Sequence, residues 1–261
     1  MDLRVSDVII LTGCCGFNVS RRKYFQLFKV VELQETFYRP PTLSTLERLR
    51  NEAPPDFVFT FKVWQVLTHS PKSPTWKKAK LDVDKETLSR LGSLKPTKEN
   101  FEIWEKMREI AKVINAKVAI FQTPPSFGYS KENYESAYNF FKSINRDGLL
   151  IGWEPRGTWK EHRDILERLI SEVEVIHVTD LLREEPVIVS KVMYTRLHGL
   201  GPREVNYKYK YTDDDLSRLA SILTKYSDNV SEYYVMFNNV YMVDDSLRFK
   251  NIAQNMGLKV I

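Results

Sequence analysis

A chain of 261 residues, 43% of them hydrophobic, can build one sizeable core, and its length suits a single α/β barrel, typically ~250 residues, or two small domains. Lys and Arg total 39 against 34 acidic residues, a net charge of +5, which fits a solvated surface or attraction to phosphate and nucleic acid. The adjacent cysteines Cys14 and Cys15 exclude a disulfide framework and a cysteine metal spacing, and no stretch nears the ~20 apolar residues of a membrane span, so a soluble, cytoplasmic protein with no membrane partner is expected.

The first apolar run, VIILT (8–12), predicts a strand and is too short for a signal peptide's apolar region. It leads into GCCGF (13–17), which lacks the G-x-G-x-x-G spacing of a dinucleotide-binding turn and has no clear helix right behind it. VVELQ (30–34) and FVFTFKV (57–63) predict the second and third strands. Residues 64–98, with Pro71, Pro74, Pro96 and the basic run WKKAK (76–80), read as an insertion or extended loop capping a barrel mouth. Ile103, Met107, Ile110 and Ile114 share one helix face. KVAIFQ (117–122) and LLIGWE (149–154) predict strands four and five, and Thr158 with Glu161 reads as a capping box opening the next helix. VEVIHVTD (173–180) and VMYTRLHG (192–199) predict strands six and seven. Thr212 with Asp215 is a weaker capping box before a helix that buries Leu216, Leu219, Ala220 and Leu223. EYYVMFNN (232–239) predicts the eighth strand. A last helix carries Phe249, Ile252, Ala253 and Met256 on one face, with Gly257 as its stop. Eight strands alternating with helices predict an α/β fold, a single-domain (β/α)8 TIM barrel over residues 1–261. An open doubly wound sheet is the competing architecture.

The carboxyl ends of these strands are polar: Glu32, Lys62, Gln122, Glu154 with Arg156, His177 with Asp180, Arg196 with His198, and Asn238 with Asn239; His69 follows strand three. In a barrel such ends converge on the rim where active sites of this fold sit. Buried ions cost several kcal/mol each unless paired. A barrel filled with aliphatic residues has no need of them, so the set reads as a ligand-binding rim. For a single position the structural reading is the stronger, and Arg196 paired with Glu154 is one such reading. The cations Lys62, Arg156 and Arg196 suit an anion, because a guanidinium fork matches phosphate or carboxylate oxygens. They oppose a bare dication, and no H-x-H or H-E-x-x-H pair exists, so no metal site is assigned. His162 reads as a surface residue and His177 as a satisfied core histidine. A triad is not recognisable without G-x-S-x-G, and Cys14 or Cys15 is a weak nucleophile candidate. Aromatic residues accompany the rim: Phe37, Tyr38, Trp64, Phe127, Trp159 and the interleaved YKYKY (207–211), which is either a stacking platform or an amphipathic loop.

The blocks VELQETFY (31–38), FVFTFKVWQVLTH (57–69), FQTPPSF (121–127), WEPRGTW (153–159), YTRLHG (194–199), YKYKYTDDDL (207–216) and YVMFNN (234–239) together resemble the YecE-like family, domain of unknown function 72. The resemblance implies a TIM barrel and supplies no reaction. DNA-repair endonucleases of similar fold carry a rich histidine ligand set that this chain lacks. Two functions are therefore carried forward. The first is a metal-independent, cofactor-free enzyme acting on a phosphate- or carboxylate-bearing small molecule or nucleotide. In it Glu154 and Glu32 are the acid/base candidates, and Lys62, His69, Gln122, Arg156, Arg196, His198, Asn238 and Asn239 bind the ligand. The second is a non-catalytic nucleic-acid-binding protein using WKKAK, YKYKY and the rim cations.

Overall fold

The computed structural model describes residues 8–261. Its strands are β1 (Ile9–Cys15), β2 (Val30–Leu33), β3 (Val58–Lys62), β4 (Ala116–Gln122), β5 (Leu150–Glu154), β6 (Ile176–His177), β7 (Val192–Leu197) and β8 (Glu232–Phe237). The helices are α1 (Arg21–Leu27), α2 (Glu35–Tyr38), α3 (Leu43–Glu52), α4 (Gln65–Thr68), α5 (Lys85–Arg90), α6 (Lys98–Val113), α7 (Lys131–Ser143), α8 (Arg163–Val173), α9 (Asp213–Lys225) and α10 (Met242–Asn255). The strands form one sheet in the order β6-β5-β4-β3-β2-β1-β8-β7. That sequential order, with a helix in every connection but the one from β6 to β7, defines the (β/α)8 TIM-barrel class.

The chain divides into two compact units. One holds the described residues up to Glu32 with Pro54–Val58 and Ile176–Ile261; the other holds Leu33–Ala53 and Phe59–Val175. In the first, β1 pairs in parallel with β8 from Ile9↔Glu232 to Cys14↔Phe237, and β7 pairs with β8 from Val192↔Glu232 to Leu197↔Phe237. Its core sets Met193, Leu197, Val235 and Phe237 from the strands against Leu216, Leu219, Ala220 and Leu223 of α9 and Phe249 and Ala253 of α10. In the second, β3 pairs with β4 and β4 with β5. Phe121, Phe140, Phe141, Trp153 and Trp159 make a chain of ring contacts that joins β4, α7, β5 and the segment Gly157–Glu161. The helix face expected from Ile103, Met107, Ile110 and Ile114 is buried as predicted.

Four local expectations are corrected. A helix does follow GCCGF: α1 starts at Arg21, and its buried Tyr24 accepts the Cys14 N–H (2.8 Å) and donates to Val30 O (2.9 Å). That clasp brings the backbones so close that a Cβ on Gly13 would lie 2.3 Å from Val30 O. Thr158 caps no helix. Residues Gly157–Glu161 form a 3-10 turn, α8 begins only at Arg163, and Thr158 Oγ1 accepts the Tyr129 N–H instead (2.9 Å). Gly157 forces this departure, with φ +75° and its Cβ position 2.5 Å from Pro125 O. The sixth strand shrinks to Ile176–His177: α8 runs on to Val173 with Glu174 turning at φ +52°, and past His177 only Thr179 still bridges β7 before Asp180 O takes the N–H groups of Arg183 and Glu184 and turns the chain. Met256 is 46% exposed, since α10 stops before it and Gly257 turns at φ +85°. Thr212 and Asp215, by contrast, form a complete capping box. Residues 64–98 hold the short helices α4 and α5 and a 3-10 segment, Pro74–Ala79.

Candidate functional site

Lys62, Gln122 and Glu154 are the last residues of β3, β4 and β5, and Gln122 lies in register with Glu154. All three side chains are at least nine-tenths buried. Alternation explains their direction: Lys62 shares a face with Thr60, while Phe59 and Phe61 pack on the other. The Lys62 ammonium lies 3.7 Å from the centre of the Phe37 ring, a cation–π contact supplied by the short helix α2. Arg156 sends Nε and Nη2 to Glu154 Oε1, at 2.9 and 2.7 Å. His69 sits at the end of α4, edge-on to Phe37, with Thr68 Oγ1 2.8 Å from its Nδ1. Burial first, then the positive charges of Lys62 and Arg156, lower the His69 imidazole from its ordinary 6.5 to about 3. The ring is therefore neutral at physiological pH. The second unit thus holds Lys62, Gln122 and Glu154 at strand ends, Arg156 just behind β5, and the His69 imidazole at the end of α4.

The first unit holds a different arrangement. Arg196 spans Glu32 with a fork, Nε to Oε2 at 3.0 Å and Nη2 to Oε1 at 2.9 Å, and Tyr194 donates to Oε2 at 2.8 Å. The arginine is 1% exposed and the glutamate 0%. The partner considered for Arg196 was Glu154; the carboxylate that meets it is Glu32, and Glu154 takes Arg156. With both oxygens engaged and no solvent access, Glu32 is shaped to neutralise Arg196 more than to move protons. His198 Nδ1 lies 3.1 Å from Asn238 Nδ2, and its backbone N–H donates to Asp180 Oδ2. His177 is the satisfied core histidine expected, accepting the Val187 N–H at Nδ1. Asn239 turns to Tyr209 O and Asp245, so it braces α10 against the preceding loop. Tyr194 lies two residues before Arg196 on β7, so strand alternation places the two side chains on one face.

Cys14 and Cys15 make poor nucleophiles. Burial pushes the Cys14 thiol up to about 12; burial and the Glu32 charge hold Cys15 well above the usual thiol range. The YKYKY stretch is a loop with two of its three rings tied down: Tyr211 accepts the Gly199 N–H, and Tyr209 donates to Asp215. Only Tyr207 is exposed. In WKKAK, Trp76 and Ala79 are buried and the lysines face outward. Trp159 and Phe127 are core residues joined by an indole-to-carbonyl hydrogen bond of 2.6 Å. Among the described residues, no group of three or more His, Cys, Asp and Glu is placed to hold a metal ion, and no helix is long and apolar enough to cross a membrane.

A (β/α)8 chain with charged strand ends is thus defined by its fold. Residues 19–260 match the model of a family described as a protein of unknown function, DUF72. The chain belongs to that family, which is the YecE-like one. Among solved structures, a DUF72 family protein from Thermotoga maritima is 24% identical with a TM-score of 0.67, covering 94% of this chain and 99% of its own. Another from Enterococcus faecalis V583 is 19% identical with a TM-score of 0.70, covering 96% and 98%. A xylose isomerase-like TIM barrel/4-hydroxyphenylpyruvate dioxygenase fusion protein matches at 10% identity and TM-score 0.52, covering 96% of this chain and 43% of its own, a likeness of fold. No curated protein matches the chain significantly.

Proposed function

We propose that the chain is an enzyme acting on a phosphate- or carboxylate-bearing small molecule at the carboxyl ends of β3, β4 and β5. One observation carries this reading: Lys62, Gln122 and Glu154 end β3, β4 and β5, Arg156 bonds Glu154, and the Lys62 ammonium and the His69 ring both lie against Phe37. Two cations at or just behind neighbouring strand ends, with an uncharged imidazole nearby, would suit an anion. Lys62 and Arg156 hold the anion. Glu154, the carboxylate beside them, is the acid/base candidate, and Gln122 and His69 orient the ligand through hydrogen bonds. Arg196 is left out because its guanidinium is committed to Glu32 within the core. The nucleic-acid reading is weakened by the anchoring of Tyr209 and Tyr211, which removes two rings from any stacking surface.

Calorimetric titration with inorganic phosphate tests the reading. Saturable binding is expected, weakened at least about tenfold in Lys62→Met, since a charge-assisted hydrogen bond is worth ~1.5–3 kcal/mol. Equal affinity in the two proteins rejects the site. Tight binding of short DNA or RNA, with affinity falling steeply with salt and no response to Lys62→Met, supports the nucleic-acid reading instead.

A further inference from the structure

Gln65 opens α4 three residues after Lys62 and is 0% exposed, yet among the described residues neither its Oε1 nor its Nε2 has a hydrogen-bond partner. Burying a carboxamide with both ends unpaired is unfavourable, and a Met or Leu would fill similar volume without that cost. Native folds keep such groups mainly where they serve something besides stability. Its place in the chain says what. The His69 N–H donates to Gln65 O at 2.8 Å, closing one helical turn. Residues four apart on such a turn lie on the same face, so the Gln65 side chain shares its face with the His69 ring. That ring lies edge-on to Phe37, whose ring also carries the Lys62 ammonium.

We infer, building on the anion site proposed above, that Gln65 is a specificity-determining residue that reads hydroxyl groups next to the bound anion. A carboxamide offers an acceptor and donors side by side, and a vicinal diol offers the complementary pair. The ligand class is then a phosphorylated polyol or sugar, in which the cations hold the phosphate and Gln65, with His69 Nε2, takes the hydroxyls. A site built around buried polar groups discriminates strongly against a ligand lacking the matching groups, because they are then left unpaired.

The experiment compares wild type with Gln65→Met in two measurements. Thermal unfolding should show the variant about 2–8 °C more stable, the shift expected for relieving an unpaired buried group in a chain of this size. Titration with inorganic phosphate, glycerol 3-phosphate, ribose 5-phosphate and glucose 6-phosphate should show wild type binding at least one hydroxylated phosphate about tenfold or more tighter than phosphate. The variant should keep its phosphate affinity and lose that preference. A variant that is stabilised but keeps the preference overturns the role of Gln65. So does a wild type with no preference for any of the three. A variant with unchanged or lower melting temperature, or one that does not fold, shows that the carboxamide is already satisfied, and also overturns it. Phosphate binding that fails altogether in wild type rejects the anion site itself, a separate result from these.

Discussion

Two arginine–glutamate pairs lie near strand ends of this molecule, and they are built differently. Arg196 and Glu32 come from β7 and β2, meet through two hydrogen bonds, add a third from Tyr194, and are 1% and 0% exposed. Arg156 and Glu154 come from one strand end and the turn behind it. They share a single oxygen, and their side chains are 11% and 8% exposed. In the first pair opposite charges are matched fork to carboxylate, leaving the fold with an internal neutral unit. In the second the geometry is local, both Arg156 contacts go to one carboxylate oxygen, and a second cation, Lys62, ends β3 two strands away. A matched pair stabilises only while complete. A cluster with clustered cations keeps a field that an anionic ligand can use.

Breaking the matched pair should give the largest effect. Arg196→Met strands Glu32 in the core and should cost ~3–5 kcal/mol of stability, measured by urea unfolding, whereas the double variant Glu32→Leu/Arg196→Met should recover most of it. A single variant within ~1 kcal/mol of wild type would mean the pair is dispensable and the contrast with Arg156–Glu154 is false. The second test concerns Glu154→Gln, which keeps shape but loses proton transfer. Turnover of any substrate found by screening phosphorylated sugars and nucleotides should fall by about two to four orders of magnitude. Its stability loss should be smaller than that of Arg196→Met, because Arg156 retains some access to water. Wild-type turnover in this variant would remove Glu154 from proton transfer.

A smaller effect separates the two regions by ligand. Phosphate affinity should fall about tenfold or more in Lys62→Met and stay within about twofold in Tyr194→Phe, which trims only the matched pair. Comparable losses in both would mean that the anion is not recognised at the β3 end. Per pH unit, the effect on pH dependence is comparable to that tenfold change. His69 titrates at about 3 when folded against an ordinary 6.5. Between these values the unfolded chain binds one proton more than the folded one, so stability rises with pH across that window and is lost as pH falls through it. The His69 share of the slope is ~1.4 kcal/mol per pH unit. Replacing His69 with Asn should flatten the stability curve between roughly pH 4 and 6 by about that much. An unchanged slope would show that the ring is not held neutral.

The sequence by itself determined the architecture, because short-range periodicity carries it. Apolar runs rich in Val, Ile and Phe located all eight strands, and the spacing of Ile103, Met107, Ile110 and Ile114 or of Leu216, Leu219, Ala220 and Leu223 fixed which helix faces are buried. Alternation also set Lys62 apart from Phe59 and Phe61, and put Tyr194, Arg196 and His198 on one face of β7. Where backbone conformation depended on a distant neighbour, local pattern failed. Thr158 reads as a cap until Gly157 is seen passing Pro125, and residues 178–180 read as strand until Asp180 takes the amides that turn the chain. Partner choice was still less legible. Nothing between positions 32 and 196 says that this glutamate meets that arginine, since the pairing is made by strand order and register rather than by spacing. Gln65 gave no signal in the string, where a glutamine after a strand reads as loop. Only the packing around α4 shows a carboxamide enclosed with nothing to bond among the described residues, because burial is a property of everything that surrounds a side chain and not of its own place in the chain.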